Sequence, residues 1–311
     1  MKTFDITHEE IIDPSNLLEA DRNASQGKHN RDENLKFSAH REEEIIDLTN
    51  RLTYYPKDGI PGNPLESSYR VGKYRMKQIY EPKPRIIMAL QYRDRVVQWA
   101  YYQKLNPLFD RQYITHSYGC RKGKGTVKAR KQLQIWLRKV NRSPKHWYVL
   151  KLDIAKYFYR VDHEILMKIL KKHIKDELIL RDLDKLINCE HTAFGLPSGV
   201  QPELCKQEDW LYNRGMPIGN LTSQMFANIY LNELDQFCKH VLHIEKYIRF
   251  VDDVIALFDR TLHSTMFLLI RAIWSLSVSG IIFTFHYVSI NTQRRFHLPQ
   301  GCTAFTFHYV S

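Results

Sequence analysis

Residues Lys246–Phe258 read KYIRFVDDVIALF: two apolar runs hinged on adjacent aspartates, Asp252 and Asp253. The pattern predicts strand, tight turn, strand, with the carboxylates at the turn. A second apolar strand, Trp147–Ile154 (WYVLKLDI), also ends on an aspartate, Asp153. A carboxylate at the end of a buried strand is costly unless it is paired or holds a cation. Adjacent carboxylates repel, so Asp252 and Asp253 between aliphatics invite a divalent ion. The plainer readings are a solvated turn for the pair and a strand-end cap for Asp153. Carboxylates brought together from two such elements are what two-metal phosphoryl transfer requires.

Outward from these strands, the chain is 311 residues long, 43% hydrophobic and 12% aromatic. That supports a packed core and excludes a disordered, collagen-like or disulfide-stapled chain. Forty-six Lys and Arg against 34 Asp and Glu give a formal charge of +12, which points to a polyanion, nucleic acid before membrane. Residues 261–311 contain no Asp, Glu or Lys, only Arg271, Arg294 and Arg295. The five cysteines, Cys120, Cys189, Cys205, Cys238 and Cys302, are scattered and form no C-x-x-C pair, which fits a reducing, cytoplasmic setting. The N-terminal stretch MKTFDITHEEIIDP lacks the apolar region of a secretory signal. Ala272–Gln293 is uncharged and long enough to span a bilayer, but its serines, His286, Asn291 and Gln293 favour a buried helix followed by a core strand. No membrane association is expected.

Helices are expected at Asn16–Arg22, Phe37–Leu52, Asp94–Leu105, Val127–Val140, Asp162–Ile174, Gly219–Leu242 and Thr265–Ser277. Strands are expected at Tyr69–Ile79, Arg85–Leu90 and Gly280–Ile290 besides those above. Tyr54–Ser68, with three prolines and two glycines, reads as loop, and Cys189–Arg214 as a loop-rich connector. The heptapeptide FTFHYVS occurs at Phe283–Ser289 and again at Phe305–Ser311, a repeat too short to define a solenoid. The glycine-rich loop Ser117–Thr126 (SYGCRKGKGT) does not fit the phosphate-loop pattern G-x-x-x-x-G-K-[ST]. Its Arg121, Lys122 and Lys124 suit a nucleic-acid backbone, with a solvated loop as the plain alternative. The helix after it carries Lys128, Arg130, Lys131, Arg138 and Lys139, which extend the basic face.

Taken in order, these segments resemble the reverse transcriptases. LDIAKYFYRVDH (Leu152–His163) resembles the first palm motif, and RFVDD (Arg249–Asp253) the two-aspartate box, with Phe250 where tyrosine is commoner. RGMPIGNLTSQMFANIYLNELD (Arg214–Asp235) is similar to the template- and nucleotide-contacting motif. EPKPRII (Glu81–Ile87), DRVVQ (Asp94–Gln98) and SYGCRKGKGT resemble the fingers motifs. The resemblance runs from about Asn16 to about Phe258. It implies an α+β fold: right-hand fingers and palm, the palm an antiparallel sheet backed by helices. The implied division is a helical extension at 1–68, fingers at 69–146, a palm at 147–290 with a connector at 175–214, and a truncated or atypical primer-grip or thumb start at 291–311.

The implied activity is RNA-directed DNA synthesis from an RNA template, a DNA or RNA primer and dNTPs. Asp153, Asp252, Asp253 and the carbonyl of Ile154 would hold two Mg²⁺, with Mn²⁺ as an alternative. Phe158, five residues after Asp153, stands where the family places an aromatic gate against a 2′-hydroxyl, while Tyr157 reads as core. Lys83 and Arg85 resemble the residues that grip the incoming triphosphate, a solvated turn being the alternative. Gly219 and Gln224 would contact the nucleotide, and Asn220 and Ser223 the nucleic acid. The run Ile218–Gln224 has the form I-G-x-x-x-S-Q, similar to enzymes of diversity-generating retroelements, where group II intron and retron enzymes usually show Q-G-x-x-x-S-P. That subfamily implies error-prone synthesis and suggests an accessory nucleic-acid-binding protein. Related forms occur among phage-defence enzymes.

The family normally continues past Phe258 with a lysine-bearing strand, and no lysine follows Lys246 here. General-acid assistance to the leaving pyrophosphate would then lack its usual residue. The alternative function is accordingly a truncated, weakly active or inactive nucleic-acid-binding chain, or a group II intron or phage-defence type of enzyme.

Overall fold

The computed structural model describes residues 3–80, 85–197, 199–259 and the backbone of 283–290. Four helices come first: α1 (His8–Ile12), α2 (Pro14–Ser25), α3 (Asp32–Ala39) and α4 (Arg41–Leu52). Proline at the first position of α2 and the Asp13 carboxylate on the Ser15 amide start that helix cleanly. Two residue pairs, β1 (Tyr55–Pro56) and β2 (Leu65–Glu66), close the proline-rich loop. The antiparallel hairpin of β3 (Arg75–Ile79) and β4 (Arg85–Ala89) leads into a 19-residue helix, α5 (Tyr92–Asp110). Helix α6 (Thr126–Asn141) precedes the strand β5 (Trp147–Ile154), which occupies the span its sequence pattern predicts.

Helices α7 (His163–His173) and α8 (Glu177–Ile187) follow. The second of these lies within the segment expected as connector. Its Ile179, Leu183, Leu186 and Ile187 form one buried stripe, and the Asp176 carboxylate caps its first turn through the amides of Leu178 and Ile179. Helix α9 (Leu221–Gln236) begins at Asn220 and continues into a wider π turn, Phe237–Val241. It is buried around most of its circumference, polar side chains such as Asn228 and Asp235 included.

The hairpin of β6 (Lys246–Phe250) and β7 (Asp253–Phe258), with β5 and β8 (Phe283–Ile290), forms a four-stranded antiparallel sheet in the order β6-β7-β5-β8. The first FTFHYVS copy is thus a sheet strand, lying inside the predicted Gly280–Ile290. The second copy and the predicted helix Thr265–Ser277 lie outside the described residues, as does the expected primer-grip region at 291–311.

Side-chain alternation sends the two faces of the sheet into different clusters. Leu150, Leu152, Tyr247, Val254 and Ala256 join the principal core, which includes α2, α5 and α9. Val149, Ile248, Ile255 and Leu257 pack with Leu133, Trp136 and Val140 of α6. The principal core draws on residues from Ile6 to Phe258. No described helix is long and apolar enough to cross a membrane.

Candidate active site

The register of the sheet brings the three aspartates to one end of it. Leu152 pairs with Val254, so Asp153 and Asp253 are the next residues along two neighbouring strands. Phe250 pairs with Asp253, which leaves Val251 and Asp252 as a two-residue turn. Val251 has φ +57°, a left-handed conformation that a β-branched residue adopts only under constraint. The constraint is visible. A Cβ on Gly119 would lie 2.4 Å from the Val251 nitrogen and 2.5 Å from its Cγ2. Only glycine lets the basic loop approach the turn this closely.

Burial pushes the Asp252 carboxyl up to about 6, and the charges of Asp153 and Asp253 push it the same way. Asp253 is also raised, first by burial and then by Asp153, while Lys151 pulls it down from 3.6 Å. The carboxylates therefore repel one another, which is the condition a divalent cation relieves. Among the described residues no three Asp, Glu, His or Cys side chains are gathered into a metal cage. Mg²⁺ does not need one: it keeps several waters and is usually held by one or two carboxylates together with substrate phosphates. Hard oxygen donors at an open sheet end fit an ion that arrives with a nucleotide.

Around this end the chain places the other expected residues in two groups. The turn after β5 carries Tyr157, buried with its hydroxyl on the Ala227 carbonyl at 2.8 Å, and Phe158, half-buried. The Met216 amide donates to the Phe158 carbonyl, so the segment before α9 runs beside this turn. The Met88 amide donates to the Ile218 carbonyl at 3.0 Å, docking β4 on the same segment. Ile87 lies against Gly219, Arg85 is exposed at the start of the same strand, and Gln224 is half-buried in the first turn of α9. Gly219 has φ +108°. Lys83 lies outside the described residues.

Two expected nucleic-acid contacts face inward instead. The Asn220 amide donates to the Tyr74 hydroxyl at 2.9 Å, and Ser223 is buried in the first turn of α9. Their polar side chains serve the packing of α9, and neither presents itself to a polyanion.

The basic loop divides in the same way. The Arg121 guanidinium donates to both carboxylate oxygens and the carbonyl of Asp110, and to the carbonyls of Ile114 and Ser117. All five of its donors are engaged, so it clasps the loop from within and is not free to bind phosphate. Lys122 is exposed. The Lys124 ammonium donates to the Thr115 carbonyl and lies 5.3 Å from the Tyr118 ring centre. An open cleft of about 320 Å³ beside it is lined by Tyr118, Lys124, Lys128, Lys131 and Gln132.

Gly119, Lys151, Asn228, Asp235 and Arg249 carry no individual role in the motifs above. The available signal was a charge inside an apolar strand: Arg249 within YIRF needs a buried partner.

This chain belongs to the reverse transcriptase family: residues 75–276 match the family described as reverse transcriptase (RNA-dependent DNA polymerase). Protein YkfC of Escherichia coli is 30% identical over 178 residues, 55% of this chain and 42% of YkfC. The group II intron-encoded protein LtrA of Lactococcus lactis is 26% identical over 204 residues, 65% of this chain and 28% of LtrA. The chain thus spans less than half the length of either relative. Among solved structures, apo telomerase from Candida tropicalis aligns with 70% of this chain and 50% of its own, at 15% identity and a TM-score of 0.46.

Proposed function

We propose that the chain is an RNA-directed DNA polymerase that copies an RNA template into cDNA by extending a DNA or RNA primer with dNTPs. One observation carries this reading: Asp153 at the end of β5 meets the Asp252–Asp253 turn at one end of the sheet, with half-buried Phe158 just beyond it. Asp153, Asp252, Asp253 and the Ile154 carbonyl would hold Mg²⁺, or Mn²⁺ in its place. The bound ions supply Lewis-acid activation of the primer hydroxyl and neutralise charge on the leaving pyrophosphate. Lys151 holds the Asp253 carboxylate. Phe158 bars a 2′-hydroxyl, Arg85 and Lys83 take the triphosphate, and Lys122 and Lys124 take the template backbone.

The test is primer extension on an RNA template with dNTPs and Mg²⁺. Asp153→Asn, Asp252→Asn and Asp253→Asn should each abolish extension while the chain stays folded, and extension that survives any of them refutes the assignment. A second reading, a nucleic-acid-binding chain with little activity, draws on β8, FTFHYVSI, which carries no lysine where the resemblance places a lysine-bearing strand. It predicts RNA binding without extension at high protein concentration.

The finer reading is an enzyme of a diversity-generating retroelement with error-prone synthesis. It is supported by Ile218–Gln224 and by the position of Gln224 in the first turn of α9. A flexible amide there, in place of proline, would hold the templating base loosely. Misincorporation opposite adenine should fall in Gln224→Pro, and equal error rates would sink the idea.

A further inference from the structure

Among the described residues Arg249 is the bulkiest side chain that is fully buried, and it lies in the strand that leads into the aspartate turn. Its Nε donates to both oxygens of Asp235 at 2.8 and 2.9 Å, and its Nη2 to Asp235 Oδ2 at 2.7 Å. The Tyr247 hydroxyl donates to the same carboxylate at 2.8 Å. That much would satisfy a core ion pair.

Nη1 does something else. It donates to the Val251 carbonyl at 2.9 Å, the oxygen of the peptide that joins Val251 to Asp252, and to Asn228 Oδ1 at 3.1 Å. The Asn228 amide in turn donates to the Gly119 carbonyl at 2.9 Å. Gly119 is the residue pressed against Val251. Backbone bonds close the circuit: the Arg249 amide donates to the His116 carbonyl, and the Tyr118 amide to the Arg249 carbonyl. Asn228 and Asp235 are seven residues apart on α9, two turns along one helix face.

Resting on the polymerase reading above, we propose that Arg249 is a positioning residue. Its Nη1 fixes the Val251–Asp252 peptide, and so aims the Asp252 and Asp253 carboxylates. Asn228 extends the same clamp to the basic loop, so that α9, the aspartate turn and the loop bearing Lys122 and Lys124 move as one body. A planar fork with five donors can do this, and an ammonium cannot. The left-handed Val251 is held by this surround, as strained residues at functional sites generally are.

A core ion pair and a positioning device respond differently to an apolar replacement. Well-packed hydrophobic residues often substitute for a buried pair with little loss of stability. The test is the full chain carrying Arg249→Met, Asp235→Leu and Tyr247→Phe together. Folding by circular dichroism and primer–template affinity should be retained, with KM for dNTP within about twofold. The value of kcat should fall by about 100-fold, the usual consequence of ångström-scale misplacement. Hydrogen exchange should quicken together at 117–120 and 250–253. A folded triple variant with kcat within twofold and unchanged exchange overturns the proposal.

Should the triple variant fail to fold, Asn228→Ala, which leaves the Arg249–Asp235 pair in place, must show the same joint rise in exchange and a kcat loss of at least about tenfold. Unchanged values there overturn it equally. If the unmodified chain extends no primer, the polymerase reading falls by itself, and exchange still decides whether turn and loop are linked.

Discussion

Replacing Gly119 with alanine should damage catalysis far more than its size suggests. The new methyl carbon would sit 2.4 Å from the Val251 nitrogen and 2.5 Å from Val251 Cγ2, where contacts near 3.5 Å are needed. Either the loop or the aspartate turn must give way by about 1 Å. The loop is tied by Asn228 and the turn by Arg249, so neither moves alone. Overpacking of this kind costs about 1–3 kcal/mol. In a chain of this size that lowers Tm by roughly 2–10 °C. The same displacement, passed to Asp252, should reduce kcat by about 100-fold. Gly123→Ala is the matched control: its φ is +74° and its Cβ would meet nothing within 4 Å. It should lose about 1–2 kcal/mol from backbone strain alone, with kcat unchanged. Steady-state primer extension and thermal melts of both variants decide the matter. Full kcat in folded Gly119→Ala, or an equal kcat loss in Gly123→Ala, refutes the close-approach argument.

Three further outcomes are expected. Asp182 is buried, which raises its carboxyl, but hydrogen bonds from His8, Tyr101 and Tyr54 and the charge of Lys185 outweigh burial and hold it below the usual carboxylate range. A depressed pKa stabilises the fold above the unfolded value, near 3.9, and that contribution is lost as pH falls through the folded value. Asp182→Ala should therefore cost about 3–5 kcal/mol at pH 7 in urea melts, with the gap from wild type narrowing below about pH 4. Phe158→Ala should raise ribonucleotide incorporation relative to deoxynucleotide by about 10–100-fold, read by single-nucleotide extension. Lys122→Ala should lower the slope of log binding constant against log salt by about 1, while Arg121→Ala should instead loosen the loop and lower Tm.

Much of this layout is legible in the sequence, for local reasons. Strand β5 and the β6–β7 hairpin are alternating or continuous apolar runs ended by aspartates, and period and punctuation define them. Helix α8 has an equally regular stripe, but it follows α7 after a short gap and lies where the reverse transcriptase pattern offers no motif, so it reads as connector. Helix α3 begins at Asp32, ahead of the expected Phe37–Leu52, because its opening residues Asp32, Glu33 and Asn34 are polar and show no apolar stripe. Residue roles are harder to see. Arg121, Lys122 and Lys124 look alike in one basic loop, yet Asp110 captures the first of them. Asn220 and Ser223 sit in a motif that suggests exposure to ligand, yet Tyr74 and the core take them. Arg249 and Asp235 are 14 residues apart on different elements, and only the tertiary fold reveals them as a pair.

The buried Asp182 also bears on how the chain is made. His8, at the start of α1, donates through Nε2 at 2.9 Å to a carboxylate 174 residues downstream. At the usual 5–20 residues per second of synthesis, that partner follows His8 by about 10–35 s. For all that time the His8 ring, buried in the finished fold, awaits the carboxylate that satisfies it. Helix α1 thus gains its final polar partner only after α8 is made, long after its own residues have been joined.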